Sequence, residues 1–414
     1  MKNDLTINKY LPIAILYFFF NSFLLPHGLL YTAILTPLFI IWLSKYSSIF
    51  YLLFFFLVTL PFAYVHISKG ANLPYYIKSY LLLFTVYVFC LAFYQFVKVC
   101  TTIPSLFKQL IYINVIFLFV AIIVLFIPAL TDRFWYVTQV TSRTVSLPRL
   151  KMLSYEPSYY SILFVPLVMY YYLKMFLFKG KNIFLVLLLT TLPLLLSLSF
   201  GVILGLVLAL VFLFISDVKL FSLRQRMPFY FLIGIALMMI GFIVVLKVFP
   251  ENLFFIRMAN VFRGMDNSFK GRTFDSFYLG WKIAAEKSLV FGAGPGQTKV
   301  LGLEFFKEFY NQPAFVESEI AIPNSIGDTL AVFGLVGVFI RLVVEIYFFF
   351  VSQVYKNFYR LGLFIFVFIY QFTGSFLTNI AEYVIWILAF APHLFKEFDK
   401  VNVYKFNSNI ALKP

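Results

Sequence analysis

Long apolar runs separated by short polar segments follow one another along almost the whole chain. A helix crosses the hydrocarbon core of a bilayer with about 20 residues, and with somewhat fewer when neighbouring helices shield its ends. By this criterion the pattern predicts about twelve transmembrane helices. The predicted spans are Tyr10–Leu25, Leu29–Leu43, Ile49–His66, Tyr80–Val97, Leu110–Leu130, Tyr159–Met175, Ile183–Leu198, Val202–Ile215, Phe229–Phe249, Ser325–Phe350, Leu361–Phe372 and Asn379–Leu394.

Two of the apolar stretches are too long to be single helices. The stretch from Ile183 to Ile215 would measure about 50 Å as one helix, well beyond the thickness of a bilayer. We therefore expect it to turn back near Ser197–Gly201, and the same reasoning places a turn near Gly374 in the last long stretch.

Composition excludes an ordinary soluble domain. Hydrophobic residues make up 62% of the chain and charged residues only 12%, about half the usual charged share of a soluble protein. The net charge of +16 does not indicate nucleic-acid binding, because Lys and Arg lie in short clusters between apolar runs. Two cysteines, Cys90 and Cys100, and three histidines indicate neither a disulfide framework nor a zinc cluster. The N-terminus lacks a signal-peptide cleavage pattern, so we expect it to be the first membrane anchor.

Topology follows from the positions of Lys and Arg, which are in excess in short cytoplasmic loops. Placing both termini in the cytoplasm puts most of the clusters inside, including Lys45, Lys98, Lys108, Lys174, Lys179, Lys181, Lys219, Arg224 and Arg226. The remaining cations lie mainly in or beside two long outer segments, residues 131–158 and 251–322. The predicted fold class is therefore an all-α, polytopic integral membrane protein, with residues 1–414 forming a single transmembrane domain. No internal repeat is apparent, which weighs against a major-facilitator transporter.

The first long outer segment carries four cations and no acid between Arg133 and Lys151. Guanidinium groups form forked, charge-assisted hydrogen bonds, so the cluster suits a phosphate or pyrophosphate. An exposed basic loop that touches lipid headgroups is the alternative. Glu156 precedes Pro157, which is a natural first helical residue. Glu156 is therefore either a helix-capping carboxylate or a rigidly held base that takes a proton from a sugar hydroxyl.

The second long outer segment contains Arg257, Arg263, Lys270 and Arg272. Aromatic residues then recur at helical spacing from Phe274 to Trp281, which predicts a helix on the membrane surface or against the bundle. Gly292, Gly294 and Gly296 predict a tight turn and not a phosphate-binding loop, because no Gly-Lys-Ser/Thr follows them. Asn324 is a candidate N-cap of the next span, in which Gly334 and Gly337 would let helices approach closely.

Taken together, these residues resemble the Wzy-type O-antigen or capsular polysaccharide polymerases, a family related to the O-antigen ligases. Glu156-Pro157-Ser158-Tyr159 resembles the start of the helix after the first long outer loop of such polymerases. The stretch from Arg272 to Gly296 resembles their arginine, aromatic helix and glycine turn, and Asn324 followed by Gly334-x-x-Gly337 resembles the ligase-superfamily pattern. Pro323 stands where the ligase pattern has His, so no histidine base is carried over.

The resemblance implies a fold like that of the GT-C-like polymerases and ligases, in a bacterial inner membrane with one large periplasmic loop. It implies a glycosyltransferase that polymerises undecaprenyl-pyrophosphate-linked oligosaccharide repeat units at the periplasmic face and releases the polyprenyl pyrophosphate. Neither a metal nor another cofactor is required. The implied partners are the lipid-linked substrate, membrane lipids and a chain-length regulator protein, with no nucleic acid.

The expected catalytic residues are Glu156, as the base, and Arg272. Arg149, Lys151 and Arg257 are expected to contact the pyrophosphate together with Arg272, and the further substrate-binding candidates are Arg143, Arg263 and Asn324. Two alternative functions stay open. A lipid-linked oligosaccharide flippase is expected to have short outer loops and charges around a central cavity, whereas an O-antigen ligase differs from the polymerase in its acceptor.

Overall fold

The computed structural model describes residues 8–26, 28–139, 146–178, 183–217, 270–313, 316 and 320–411. These residues are mostly helical. The elements in chain order are α1 (Leu11–Ile15, continued by a π-helical turn, Leu16–Phe20), α2 (Tyr31–Ile34), α3 (Thr36–Leu43), α4 (Tyr51–Ser68), α5 (Leu73–Val99), α6 (Ile103–Val124), α7 (Pro128–Phe134), β1 (Trp135–Gln139), β2 (Ser146–Leu150), α8 (Pro157–Leu177), α9 (Ile183–Ser197), α10 (Phe200–Ser216), a π-helical turn (Gly271–Asp275), α11 (Ser276–Lys287), α12 (Gln297–Tyr310), α13 (Ser325–Val351), α14 (Phe358–Tyr370), α15 (Ile380–Phe390) and α16 (Lys400–Ala411).

Five of these helices are long and apolar enough to cross a membrane. They are α4, α5, α6, α8 and α13, of which α13 is counted over its whole length although Gly334 interrupts it. Shorter apolar helices occupy most of the other predicted spans, and the predicted span Phe229–Phe249 lies outside the described residues. The chain is therefore a mostly helical membrane protein.

The helix starts depend on proline. Pro74, Pro104 and Pro157 stand in the first turns of α5, α6 and α8, where the missing N–H has no intrahelical partner to lose. Proline also divides the predicted span Leu29–Leu43, because α3 restarts at Thr36-Pro37 after α2 ends at Ile34. These starts explain why α5 and α6 each begin seven residues before the apolar run that predicted them.

Helix α8 lies at the centre of the bundle. In its most apolar stretch 78% of the residues are buried, against 17% in α4. Its side chains share one hydrophobic core with those of α6, α10, α14 and α15. The apolar outer face of α4, by contrast, is exposed in the isolated chain, as expected for a helix that contacts lipid.

Both predicted turns within long apolar stretches are confirmed. Helix α9 ends at Ser197 and α10 begins at Phe200, with Leu198 in the left-handed region at φ 48°. Helix α14 ends at Tyr370 and α15 begins at Ile380.

Contacts between the connecting segments sort them into two ends of the bundle. At one end Asn8 bonds Thr102, and Lys400 pairs with Asp217 at 3.1 Å. The predicted topology assigns all four of these residues to the cytoplasmic side. The opposite end, called here the site end, holds Glu156 and the turns that follow α9 and α14. The predicted topology assigns these segments to the outer side.

The first long outer segment differs from the all-α prediction, because it contains an antiparallel hairpin of β1 and β2 in the register Trp135↔Leu150. Trp135 fastens the hairpin to the bundle. Its indole Nε1 donates to the carbonyl oxygen of Ala121 at 2.7 Å, and its ring packs against Leu150 and Met152. The aromatic and β-branched residues of β1 favour a strand locally, which a search for long apolar runs does not detect.

Candidate functional site

Glu156 is the N-cap residue of α8, as predicted, with extended backbone angles of φ −149° and ψ 156°. Its carboxylate does not cap the helix, however, and accepts instead from Ser158 Oγ at 2.5 Å. Ser154 Oγ donates to the Glu156 carbonyl oxygen at 2.9 Å. The residue is half-buried. Its backbone is therefore held firmly, and the described hydrogen bond of its carboxylate uses only Oε1.

Arg272 lies in the π-helical turn that leads into α11, an irregularity that often marks functional positions in helices. Its guanidinium hydrogen-bonds the hydroxyl of Tyr370, the last residue of α14. Ser276 Oγ donates to the carbonyl oxygen of Gly271 at 2.6 Å and ties the turn to α11.

Asn324 is the N-cap of α13, as predicted, and its Oδ1 accepts from Gly327 N at 2.9 Å. Its Nδ2 donates to the carbonyl oxygens of Arg272, at 2.8 Å, and of Phe372. The side chain is fully buried. Asn324 therefore positions the backbone of Arg272, and a direct contact with substrate stays a prediction.

Tyr370 interacts with both predicted catalytic residues. Its hydroxyl bonds Arg272 and interacts electrostatically with the carboxylates of Glu156 and Glu382. The Tyr370 ring covers Gly374 and lies 3.8 Å from the position that a Cβ would take at Gly201. Tyr370 is not among the site residues expected from the sequence. The only local signal was a polar pair, Tyr370-Gln371, at the end of an apolar span.

Tyr155 extends the site along α8. Its ring lies 4.6 Å from that of Tyr159, whose hydroxyl accepts from Asn21 Nδ2 at 3.1 Å. Burial, together with the adjacent Glu156 carboxylate, raises the pKa of Tyr155 well above its usual value, so its hydroxyl stays protonated at neutral pH.

Two other predicted cations, Arg149 and Lys151, have contacts of their own. Arg149 donates from Nε and Nη2 to the carbonyl oxygens of Ser197 and Leu198, at 3.2 and 3.4 Å, and so interacts with the C-terminus of α9. Lys151 lies near Asp132 and Arg133. Burial lowers the pKa of Lys151. The negative charge of Asp132 acts in the opposite direction, and the positive charge of Arg133 lowers the pKa further. Three predicted substrate-binding residues lie outside the described residues, namely Arg143, Arg257 and Arg263.

The glycine turn packs against the bundle. Gly292, Gly294 and Gly296 all have positive φ, as a tight turn requires. The turn is joined to α13 because Ala293 N and Gly294 N donate to the carbonyl oxygens of Ala331 and Val332. A Cβ at Gly296 would collide with the carbonyl oxygen of Tyr75. The glycines therefore permit close backbone approach.

Helix α13 does not run straight, contrary to the single span predicted from Ser325 to Phe350. Gly334 has φ 66° and ψ −164°, which is not helical. Beyond it, Arg341 Nη1 donates to Thr329 Oγ1 at 3.1 Å, although these residues would be about 18 Å apart along a straight helix. The two halves of α13 therefore fold back on each other at Gly334.

This turn brings Arg341 to the site end. Arg341 Nε donates to Glu345 Oε1, at 3.1 Å, and to Gln371 Oε1, at 3.0 Å. Its Nη2 donates to Glu382 Oε1. Gln371 follows Tyr370 directly, so this buried group of charges adjoins the predicted catalytic residues. The sequence placed Arg341, Glu345 and Glu382 deep within spans and gave no reason to join them.

A cavity of about 210 Å³ is lined in part by Gly271 and Pro323, the chain neighbours of Arg272 and Asn324. Its wall is formed by Gly271, Ser276, Leu279, Phe306, Tyr310, Ala321, Ile322 and Pro323. Tyr310 donates to Asp275 Oδ2 at 3.0 Å, and burial together with this carboxylate raises the pKa of Tyr310. No group of three or more His, Cys, Asp or Glu side chains that could hold a metal ion occurs within the described part of the chain.

Comparison of the chain with protein-family models, with curated proteins and with solved structures finds no match.

Proposed function

We propose that the protein is a glycosyltransferase that polymerises polyprenyl-pyrophosphate-linked oligosaccharide repeat units into an O-antigen or capsular polysaccharide. The reaction takes place at the periplasmic face of a bacterial inner membrane, in a chain with about twelve spans and both termini in the cytoplasm. This proposal rests on the resemblance to Wzy-type polymerases. It is supported by the way in which the residues that carry the resemblance assemble in space.

The supporting observation is that Tyr370 hydrogen-bonds Arg272 and interacts electrostatically with the carboxylate of Glu156. The two residues come from the two long outer segments, and the fold brings them to the same end of the bundle. The transfer calls for both a carboxylate and a guanidinium group, because a proton must leave the acceptor while negative charge develops on the departing pyrophosphate.

The proposed step is a substitution at the anomeric carbon of the growing chain. A hydroxyl oxygen of the incoming repeat unit forms the new bond to this carbon, and Glu156 takes its proton. The bond between the anomeric carbon and the pyrophosphate oxygen breaks, and the pyrophosphate keeps the electron pair. Arg272 balances the charge of the pyrophosphate, together with Arg149, Lys151, Arg257 and the further candidates Arg143 and Arg263.

The cavity lined in part by Gly271 and Pro323 is the space that we assign to the sugar end of a substrate. It combines apolar walls, such as Phe306 and Ile322, with the hydroxyl of Tyr310. Small-molecule sites commonly pair an apolar lining with a few polar groups in this way.

A lipid-linked oligosaccharide flippase is the rival from another class. Such a transporter needs charged groups around a water-filled passage. Two of the charges that lie within predicted spans at the site end are instead buried in the described structure, since Glu382 is 1% exposed and Glu345 is 5% exposed. The ligase alternative has the same fold and leaving group, and differs only in transferring the chain to a lipid-core acceptor.

In vitro polymerisation tests the proposal directly. The purified protein in lipid nanodiscs is supplied with a defined polyprenyl-pyrophosphate-linked repeat unit, without any other protein. A ladder of products with released polyprenyl pyrophosphate is expected. A single product that never exceeds one repeat unit, or transport without any transfer, would contradict the proposal.

Deletion of the gene separates the three functions in cells. Loss of a polymerase leaves single repeat units on the lipid core, and loss of a ligase leaves the core bare. Loss of a flippase strands the units on the inner leaflet. Co-purification with a chain-length regulator protein is expected for a polymerase only.

A further inference from the structure

The buried charges around Arg341 do not balance. Arg341 contacts two carboxylates, those of Glu345 and Glu382. A third carboxylate, that of Asp328, lies within the electrostatic range of Arg341 and accepts from Leu377 N at 3.0 Å. A buried carboxylate is stable only when its charge is paired. Among the described residues this group therefore lacks positive charge.

The groups at Tyr370 do not supply the missing charge. Tyr370 interacts with Arg272 and with the carboxylates of Glu156 and Glu382. Arg272 and Glu156 are both half-buried and add one charge of each sign, so the deficit around Arg341 is unchanged. The neutral neighbours that face Glu382 are Ser325, Trp386 and Tyr383.

The hydrogen bonds identify the atom at which the charge is missing. Both oxygens of Glu345 accept, Oε1 from Arg341 and Oε2 from Gln371 Nε2 at 2.8 Å. Glu382 Oε1 accepts from Arg341, from Ser325 Oγ at 3.3 Å and from Trp386 Nε1 at 3.4 Å. Glu382 Oε2 is buried and has no hydrogen-bond partner among the described residues. A buried carboxylate oxygen without a partner is costly to the fold.

We propose that Glu382 Oε2 binds one alkali-metal cation. The cation restores the charge balance of the group. It also gives a partner to Glu382 Oε2, which is the only carboxylate oxygen of Glu345 and Glu382 without a donor among the described residues. A divalent ion fits less well, because no three carboxylate, thiol or imidazole groups converge on one point within the described residues. The bound cation takes no part in bond making.

The position of this site links it to the outer end of the bundle. Arg341 holds the second half of α13 against the first half through Thr329 and the Ser325 carbonyl oxygen. Ser325 follows Asn324, which in turn holds Arg272. Occupancy at Glu382 therefore stabilises the fold-back of α13 and the elements around Arg272, whichever substrate the protein uses.

Thermal unfolding of the full-length protein in nanodiscs tests the site without any assay of polymerisation. The melting temperature is measured at constant ionic strength in two series, in which N-methyl-D-glucamine chloride is replaced stepwise by NaCl or by KCl. A bound cation stabilises the folded state by mass action. The ion that binds should raise the melting temperature with saturation in its series.

Glu382→Gln should lose the response that the wild type shows, since a neutral amide needs no counter-charge. Glu304→Gln, at an exposed position of α12, is the matched control and should keep the response. If Glu382→Gln does not fold, Glu382→Asp keeps a carboxylate and should respond with an altered half-saturation. The proposal is overturned if the wild type responds to neither series, or if Glu382→Gln responds exactly as the wild type does. Neither result bears on whether the protein polymerises sugars.

Discussion

Asn324 donates an amide hydrogen to the carbonyl oxygen of Arg272 at 2.8 Å. The same amide group donates to the carbonyl oxygen of Phe372, two residues after Tyr370, and its Oδ1 caps α13. One buried side chain thus sets the distance between the turn that carries Arg272 and the end of α14 that carries its hydroxyl partner. The site is therefore maintained by tertiary hydrogen bonds, and local helix geometry alone would not create it.

Asn324→Ala should reduce both stability and activity. The change removes an N-cap, at a cost of about 1 kcal/mol, and leaves the half-buried carbonyl oxygens of Arg272 and Phe372 without this donor, which adds about 1 kcal/mol or more. Asn357 is the matched control, because it caps α14 and bonds two further acceptors at the opposite end of the bundle. We expect both alanine variants to lower the melting temperature. Only Asn324→Ala should lower the polymerisation rate of the protein that remains folded, and equal activity losses per folded molecule would argue against a positioning role.

Arg272→Ala should abolish long-chain polymer while membrane insertion stays intact. Removing one preorganised donor to a developing charge typically slows a reaction by about 10²–10³-fold. Arg272→Lys should recover only part of the rate, because an ammonium group cannot form the forked hydrogen bonds of a guanidinium. Chain-length distributions on gels measure the effect, with exposed Lys299→Ala on α12 as the control. Wild-type banding in Arg272→Ala would remove its proposed role.

Glu156→Gln is the sharper test of the proposed base. The amide keeps the size of the side chain and an oxygen that accepts from Ser158, but it does not take up a proton. The rate of polymerisation should fall by about 10²–10⁴-fold, with little change in melting temperature. The control is Glu397→Gln. It alters a carboxylate that accepts from the Tyr170 hydroxyl at the other end of the bundle. Normal chains from Glu156→Gln would leave this residue a structural role only.

Gly334→Ala should prevent the fold-back of α13. At φ 66° and ψ −164° a residue with a Cβ is strongly strained, and the added methyl group would collide with the backbone nitrogen of Gly292. We expect a loss of more than about 3 kcal/mol in the free energy of unfolding. The measurement is thermal unfolding in nanodiscs. Gly201→Ala in α10 is the comparison, because its methyl group meets the Tyr370 ring at 3.8 Å and alanine favours the helix by about 1 kcal/mol. A Gly334→Ala variant as stable as Gly201→Ala would show that the turn does not need glycine.

Much of the architecture was predictable because it depends on local pattern. Apolar run length located the helices, and the reach of a single helix located the turns after Ser197 and near Gly374. Residue type located the N-caps Glu156 and Asn324 and the glycine turn, since capping and positive φ are properties of a few neighbouring residues. Connecting segments that the Lys and Arg counts assign to one side of the membrane also lie at one end of the bundle.

The arrangement of the site was decided by tertiary structure. Hydropathy treats the stretch from Ser325 to Val351 as one apolar helix, and its break at Gly334 depends on backbone contacts with the distant glycine turn. That break carries Arg341 to Glu382, and packing of α14 brings Tyr370 into interaction with Glu156 and Arg272. Sequence determined which residues could form helices, caps and turns, because those preferences act over a few positions. Which charges meet depended on the packing of helices that are remote in sequence. Composition and residue spacing do not indicate which of those helices come into contact.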